Sequence, residues 1–303
     1  MTVSQLAAES AAEPRRYPFH HGRETVIAYP VTGAGVTTRV VESGSGDRVL
    51  VCLHGAGSRA DRFVPVIPGL VAAGFRVLAI DFPGHGFAEK RADIDYSAAG
   101  FADVIAGVLD SLGLSKVTIA GTSLGGHVAA HLAVHRTDLV AGLVLIGSVG
   151  VGDFPQEFHT PPEVLSDGSV AGVRRKLTFL VSDPEMVTDA WVREESMINS
   201  STGAKDALLQ VSEWLDTECN AARVDAELAE LLPDLPVLLV WGADDKWTPP
   251  SMGVEAQKNL PGVALELMPG CGHAPYFEDP DAFVEILTRH RVGLASGTEP
   301  KKE

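Results

Sequence analysis

Apolar residues in this chain come in short unbroken runs, separated by longer stretches in which they recur every three or four positions. The unbroken runs are RVLVCLH at 48–54, FRVLAID at 75–81, KVTIAG at 116–121, VAGLVLIG at 140–147, PVLLVWG at 236–242 and VALELMP at 263–269. Too short for helices and with little polar alternation, they predict strands covered on both faces. Between them, FADVIAGVLDSLG, GHVAAHLAVHR and PDAFVEILTRHR carry helical spacing. Strand and helix in alternation predict an α/β fold, a mostly parallel central sheet flanked by helices.

The alternation breaks once. From 150 to 235 no strand-like run of that strength occurs, and helical patterns take over in DPEMVTDAWVREESMI and KDALLQVSEWLD. Asp183 suits the N-cap of the first, with Pro184 at its first helical position. So long a stretch is not a loop in a compact domain, and it predicts an inserted helical cap. The chain then divides into a core at 26–149 and 236–294, a cap at 150–235, and two polar ends, 1–25 and 295–303, expected to be flexible.

Composition narrows the partners. A formal net charge of -16 excludes phosphate-backbone binding as a main role, because that requires a basic surface, and leaves a small-molecule substrate as the expected partner. Cys52, Cys219 and Cys271 are odd in number, scattered and without CxxC spacing, so neither a disulfide framework nor a thiolate metal site is expected. No apolar segment follows the early charges, and no run is long enough to cross a membrane. A cytoplasmic protein away from the membrane is expected, and a homo-oligomer is compatible with this composition.

The chemistry concentrates at Gly121-Thr122-Ser123-Leu124-Gly125, between a strand and a helix. In a G-x-S-x-G turn the serine stands at the tip of the sheet, and the next backbone N–H, here that of Leu124, points at the reacting oxygen. A serine hydroxyl needs a base to take its proton, so a histidine oriented by a carboxylate must follow. Asp244 and Asp245 lie just past the run 236–242, His273 lies past 263–269, and Asp153, past 140–147, is another possible acid.

These residues resemble the α/β-hydrolase fold family, over about residues 37–291. Trp241, Gly242, Asp245 and Pro249 match the family's W-G-x-x-D-x-x-x-P, which implies Asp245 as the acid, and Gly272-His273 matches its G-H before the terminal helix. His54-Gly55-Ala56-Gly57 resembles the H-G-x-G oxyanion loop and implies the Ala56 N–H as partner to that of Leu124. Asp81-Phe82-Pro83-Gly84-His85-Gly86 resembles the D-x-P-G-x-G turn, with His85 structural. Some members of the fold place the acid where Asp153 stands. Serine rather than aspartate at the nucleophile position implies acyl chemistry without cofactor or metal: hydrolysis of a carboxylic ester or lactone through an acyl-enzyme or, alternatively, cleavage of the carbon–carbon bond of a vinylogous diketone.

Two rival readings compete. Gly55-x-Gly57-x-x-Ala60 after a strand, with Asp81 ending the next, also fits a dinucleotide fingerprint, but predicts nothing at Ser123, Asp245 or His273. His127, His131 and His135 share a helical face at metal-binding spacing, yet no acid joins them, and packing explains them better. The cap is similar to that of hydrolases acting on ring meta-cleavage products. It departs where Thr122 replaces asparagine, Ala274 replaces tryptophan and Glu195 falls near the cap arginine, which Arg193 replaces only by a register shift. Arg174, Arg175 and Lys176 remain as anion contacts, although charge clusters are usually solvated. Phe154, Phe158, Phe179, Leu180, Trp191, Met197, Trp214 and Trp247 could line an apolar pocket, and core packing explains each as well.

Overall fold

All six expected strands form, and two others precede them. The computed structural model describes residues 26–293, so the ends expected to be flexible, 1–25 and 295–303, lie outside the described residues. The strands are β1 (Ile27–Gly33), β2 (Val36–Ser43), β3 (Arg48–Leu53), β4 (Phe75–Ile80), β5 (Val117–Thr122), β6 (Val140–Ile146), β7 (Val237–Gly242) and β8 (Ala264–Met268). They make one sheet in the order β1-β2-β4-β3-β5-β6-β7-β8, antiparallel at β1-β2 and β2-β4 and parallel elsewhere.

The hairpin β1-β2 escapes a search for unbroken apolar runs because it lies at the sheet's edge, where one face of a strand meets water and polar residues alternate. Ala34 and Gly35, at φ 46° and 76°, make its two-residue turn. In the middle of the sheet the runs are buried as expected. Leu50 and Cys52 of β3 face one apolar layer and Val51 and Leu53 the other, the two-residue period of a strand between two coats of helix.

Those coats come from α1 (Ile67–Ala72), α2 (Ala98–Ser111), α3 (Leu124–His135), α9 (Pro250–Asn259), α10 (Pro275–Glu278) and α11 (Pro280–Arg289). The segment between β6 and β7 holds α4 (Pro162–Leu165), α5 (Val170–Leu180), α6 (Asp189–Asn199), α7 (Ala204–Thr217) and α8 (Asp225–Leu231). Val173, Leu177, Val181, Val187 and Val192 form a small apolar cluster of their own there. One helix start needs correcting: Asp183 caps only the single turn Pro184–Met186, by accepting from the Glu185 N–H at 2.9 Å. The helix begins after Thr188, whose hydroxyl accepts from the Trp191 N–H at 3.2 Å.

The loops leaving β3, β5, β7 and β8 carry His54 to Ser58, Ser123, Asp245 and His273, all past the carboxyl ends of parallel strands. Open α/β sheets bind ligands at that edge.

Candidate active site

Thr122 ends β5 and Leu124 opens α3, so Ser123 alone turns the chain, at φ 56° and ψ -119°. A residue with a side chain rarely adopts that conformation unless its surroundings enforce it. Here strand, turn and helix meet through bare backbone. A Cβ at Gly121 would stand 2.2 Å from the Gly125 carbonyl oxygen, and one at Gly125 would stand 2.3 Å from that of Leu53.

Asp245 is buried and fully engaged. Its Oδ1 accepts from the N–H groups of Trp247 and Thr248, both at 2.9 Å, and its Oδ2 lies 2.7 Å from His273 Nδ1. Thr248 Oγ1 sits between them, 2.9 Å from Asp245 Oδ2, 3.2 Å from His273 Nδ1 and 3.0 Å from the Gly147 carbonyl oxygen. With Nδ1 committed to Asp245, Nε2 is the nitrogen left for chemistry. His273 and Ser123 line one cavity without being hydrogen-bonded to each other. In unliganded hydrolases that contact often tightens only when substrate arrives.

Ala56 lines the same cavity, from the loop after β3. Leu124 is the first residue of α3, where an amide has no acceptor within the helix. His54 holds the Ala56 loop in place: its Nε2 accepts from the Phe82 N–H at 2.9 Å, so Nδ1 carries the proton and donates to the Gly55 carbonyl at 2.8 Å. Burial pushes the His54 pKa down to about 3, which preserves this neutral tautomer at ordinary pH.

The other expected residues lie elsewhere. Asp244 is exposed. Asp153 is also exposed and faces Arg223 at 4.0 Å, so neither acid serves His273. Asp81 accepts from Arg39 Nε at 2.9 Å, Ala60 N–H at 2.8 Å and Phe87 N–H at 2.9 Å, which makes it a brace for the loops and leaves the dinucleotide reading without its ribose acid. His85 is buried, with Nδ1 against the Pro83 carbonyl at 2.9 Å. His127 is buried with Nε2 on the Ala222 carbonyl at 2.8 Å, while His131 and His135 pack ring to ring at 4.2 Å.

Residues 48–280 match the model of the alpha/beta hydrolase fold family. The chain belongs to that family. It is similar to a 2-hydroxy-6-oxononadienedioate/2-hydroxy-6-oxononatrienedioate hydrolase of Pseudomonas sp, 30% identical over 264 residues, covering 82% of this chain and 89% of that protein. An enzyme of the same name from Burkholderia vietnamiensis is 28% identical over 305 residues, covering 95% and 98%. The solved structure of a 2-hydroxy-6-oxo-6-phenylhexa-2,4-dienoate hydrolase from Rhodococcus sp. strain RHA1 superposes with a TM-score of 0.79 at 23% identity, covering 88% of this chain and 99% of that one. That likeness speaks to the fold.

In this α/β hydrolase, charges from α5 and α6 reach the cavity wall. Glu195 of α6 is buried between two core arginines, with Oε2 2.6 Å from Arg59 Nη1 and Oε1 2.7 Å from Arg62 Nη2. Arg59 also reaches Glu194 at 2.9 Å and Asp61 at 2.8 Å, and Arg62 lies over the Trp191 ring at 4.3 Å. Of the three neighbouring cations on α5, Arg174 and Arg175 are exposed beside Asp189 and Asp167, and only Lys176 lines the cavity. Phe154, Leu180 and Trp247 line it too. Trp214 packs on His127, Phe158 packs against the core, and Phe179 and Met197 are exposed. No helix among the described residues is long and apolar enough to cross a membrane.

Sequence reasoning missed Thr248 and the Arg59–Glu195–Arg62 cluster. Thr248 was accessible: an aspartate in a turn commonly accepts from the N–H groups two and three residues on, and here the third carries a hydroxyl. The arginine cluster joins residues more than 130 positions apart, 133 between Arg62 and Glu195, and no local pattern encodes it.

Proposed function

We propose that the protein is a serine hydrolase that breaks a carbon–carbon bond next to the ketone of a vinylogous diketone, as formed when aromatic rings are opened. The observation that carries the reading is the buried Asp245–His273 pair, 2.7 Å apart, on the cavity that also holds the strained Ser123. The relatives named above supply the reaction class, and they favour carbon–carbon cleavage over ester or lactone hydrolysis.

His273 Nε2 takes the proton of Ser123 as Oγ adds to the ketone carbon, and Asp245 steadies the resulting imidazolium. The N–H groups of Ala56 and Leu124 hold the oxyanion; one such donor is worth about 10²- to 10³-fold in rate. Collapse breaks the carbon–carbon bond. The electron pair passes into the conjugated carbonyl of the leaving fragment, which the imidazolium protonates, and water then releases the acyl group from Ser123.

Ester or lactone hydrolysis is the second reading, favoured by Thr122, Ala274 and Glu195 at positions where the sequence departs from meta-cleavage enzymes. The test is kcat/KM for a 2-hydroxy-6-oxo-dienoate beside 4-nitrophenyl butyrate and a γ-lactone. The diketone should be turned over at least about tenfold better; the reverse order establishes the ester reading.

A further inference from the structure

We propose that Lys176 is a specificity-determining residue of this cavity, and that it matches the site to substrates carrying one carboxylate rather than two. The inference rests on the cavity being the substrate site, and not on which bond is cut.

Three other basic side chains on the wall already face a carboxylate. Arg62 is bound to Glu195 at 2.7 Å, His159 lies 2.9 Å from Asp216, and His273 lies 2.7 Å from Asp245. Lys176 differs from all of these. Its Nζ donates to the carbonyls of Leu165 at 2.6 Å and Asp167 at 2.8 Å, and it forms no ion pair among the described residues. An ammonium has three donors, and two fixed on backbone leave one for the cavity it lines. A half-buried cation without a counter-charge in contact is costly, and a ligand carboxylate removes that cost.

Its surroundings explain the rest. Apolar Leu165, Val173 and Leu177 line the wall beside it. Burial pushes the Lys176 pKa down to about 8; Asp167 and Glu195 pull against that, and Arg175 adds to it. One cation without a carboxylate in contact accommodates one anion. The relatives' dienedioates have two carboxylates, and the second has no free cation among the charges lining this cavity.

Calorimetric titration of the whole protein with hexanoate, hexanamide and hexanedioate tests this without turnover. In the native protein hexanoate should bind at least tenfold tighter than hexanamide at pH 7, and hexanedioate no tighter than hexanoate. Lys176 is protonated below about pH 8 and neutral above, so hexanoate affinity should fall about tenfold from pH 7 to 9 while that for hexanamide holds. Lys176→Met should erase the preference for hexanoate. Lys176→Arg, the check against a variant that merely misfolds, should keep it and lose the pH dependence. Equal loss of both ligands in Lys176→Met, an unchanged hexanoate affinity in it, or tenfold tighter hexanedioate overturns the proposal. Failure of diketone turnover with these preferences intact overturns the reaction and leaves Lys176 standing.

Discussion

The floor and the roof of the cavity are built on opposite plans. On the floor, each group proposed to react extends from the end of a strand, and its neighbours along the chain complete it: Trp247 and Thr248 hold Asp245, and Gly121 and Gly125 admit the turn at Ser123. On the roof, charges meet partners from distant segments, as Glu195 meets Arg59 and Arg62. The floor therefore tolerates little change because its geometry is the chemistry, whereas the roof can exchange partners and alter what is bound.

The largest effect that separates the two regions is on the floor. Ser123→Ala should lower kcat for the diketone by about 10⁶-fold, measured by loss of substrate absorbance, with the melting temperature retained, because alanine keeps the Cβ and the same backbone conformation. A drop under about tenfold would show that the floor does not carry the reaction. Asp245→Asn comes next, at about 10⁴-fold in kcat, because the amide presents the wrong partner to His273 Nδ1.

On the roof the order reverses, with stability moving more than rate. Glu195→Gln leaves the buried Arg62 with a neutral partner, while Arg59 keeps Asp61 and Glu194; stranding one buried charge in this way costs about 3–5 kcal/mol, or roughly 5–15 °C in melting temperature by calorimetry. If kcat for Glu195→Gln falls as far as for Asp245→Asn, floor and roof are not separate.

The smallest effect probes the seam between α3 and the segment above it. Burial pushes the His127 pKa down to about 4, below the ordinary value near 6.5 of the unfolded chain. The unfolded state binds that proton first, so the contribution of His127 is complete above about pH 6.5 and is lost as pH falls toward 4. Within that window the slope is about 1.4 kcal/mol per pH unit. His127→Gln, whose amide can still donate to the Ala222 carbonyl, should flatten urea-unfolding stability between pH 6 and 4.5 by about that slope. An unchanged slope means His127 does not titrate on unfolding.

The same contrast governs what the sequence discloses. G-T-S-L-G, W-G-A-D-D and C-G-H are legible because a strand end, a tight turn and one reactive group must be adjacent in the chain, so spacing encodes geometry. Asp244 and Asp245 are neighbours of equal chemistry; the spacing from Trp241 and Gly242 to Pro249 singles out Asp245, and the turn after the strand buries it and exposes Asp244. The hairpin β1-β2 is faint because an edge strand alternates with polar residues. Of the RRK stretch on α5, only the helical phase selects Lys176 for the cavity, and that phase depends on a helix boundary that the sequence fixes loosely. The match of Arg59 and Arg62 with Glu195 is invisible because it is purely tertiary.

The most direct measurement is hydrolysis of a 2-hydroxy-6-oxo-dienoate in ¹⁸O-labelled water, with the products resolved by mass spectrometry for native protein and Ser123→Ala. Native protein should give a carboxylic acid bearing one heavy oxygen from deacylation, together with the shortened hydroxydienoate, and Ser123→Ala should give neither at a comparable rate. Intact diketone beside rapid hydrolysis of 4-nitrophenyl butyrate, or the same labelled products formed at full rate by Ser123→Ala, contradicts it.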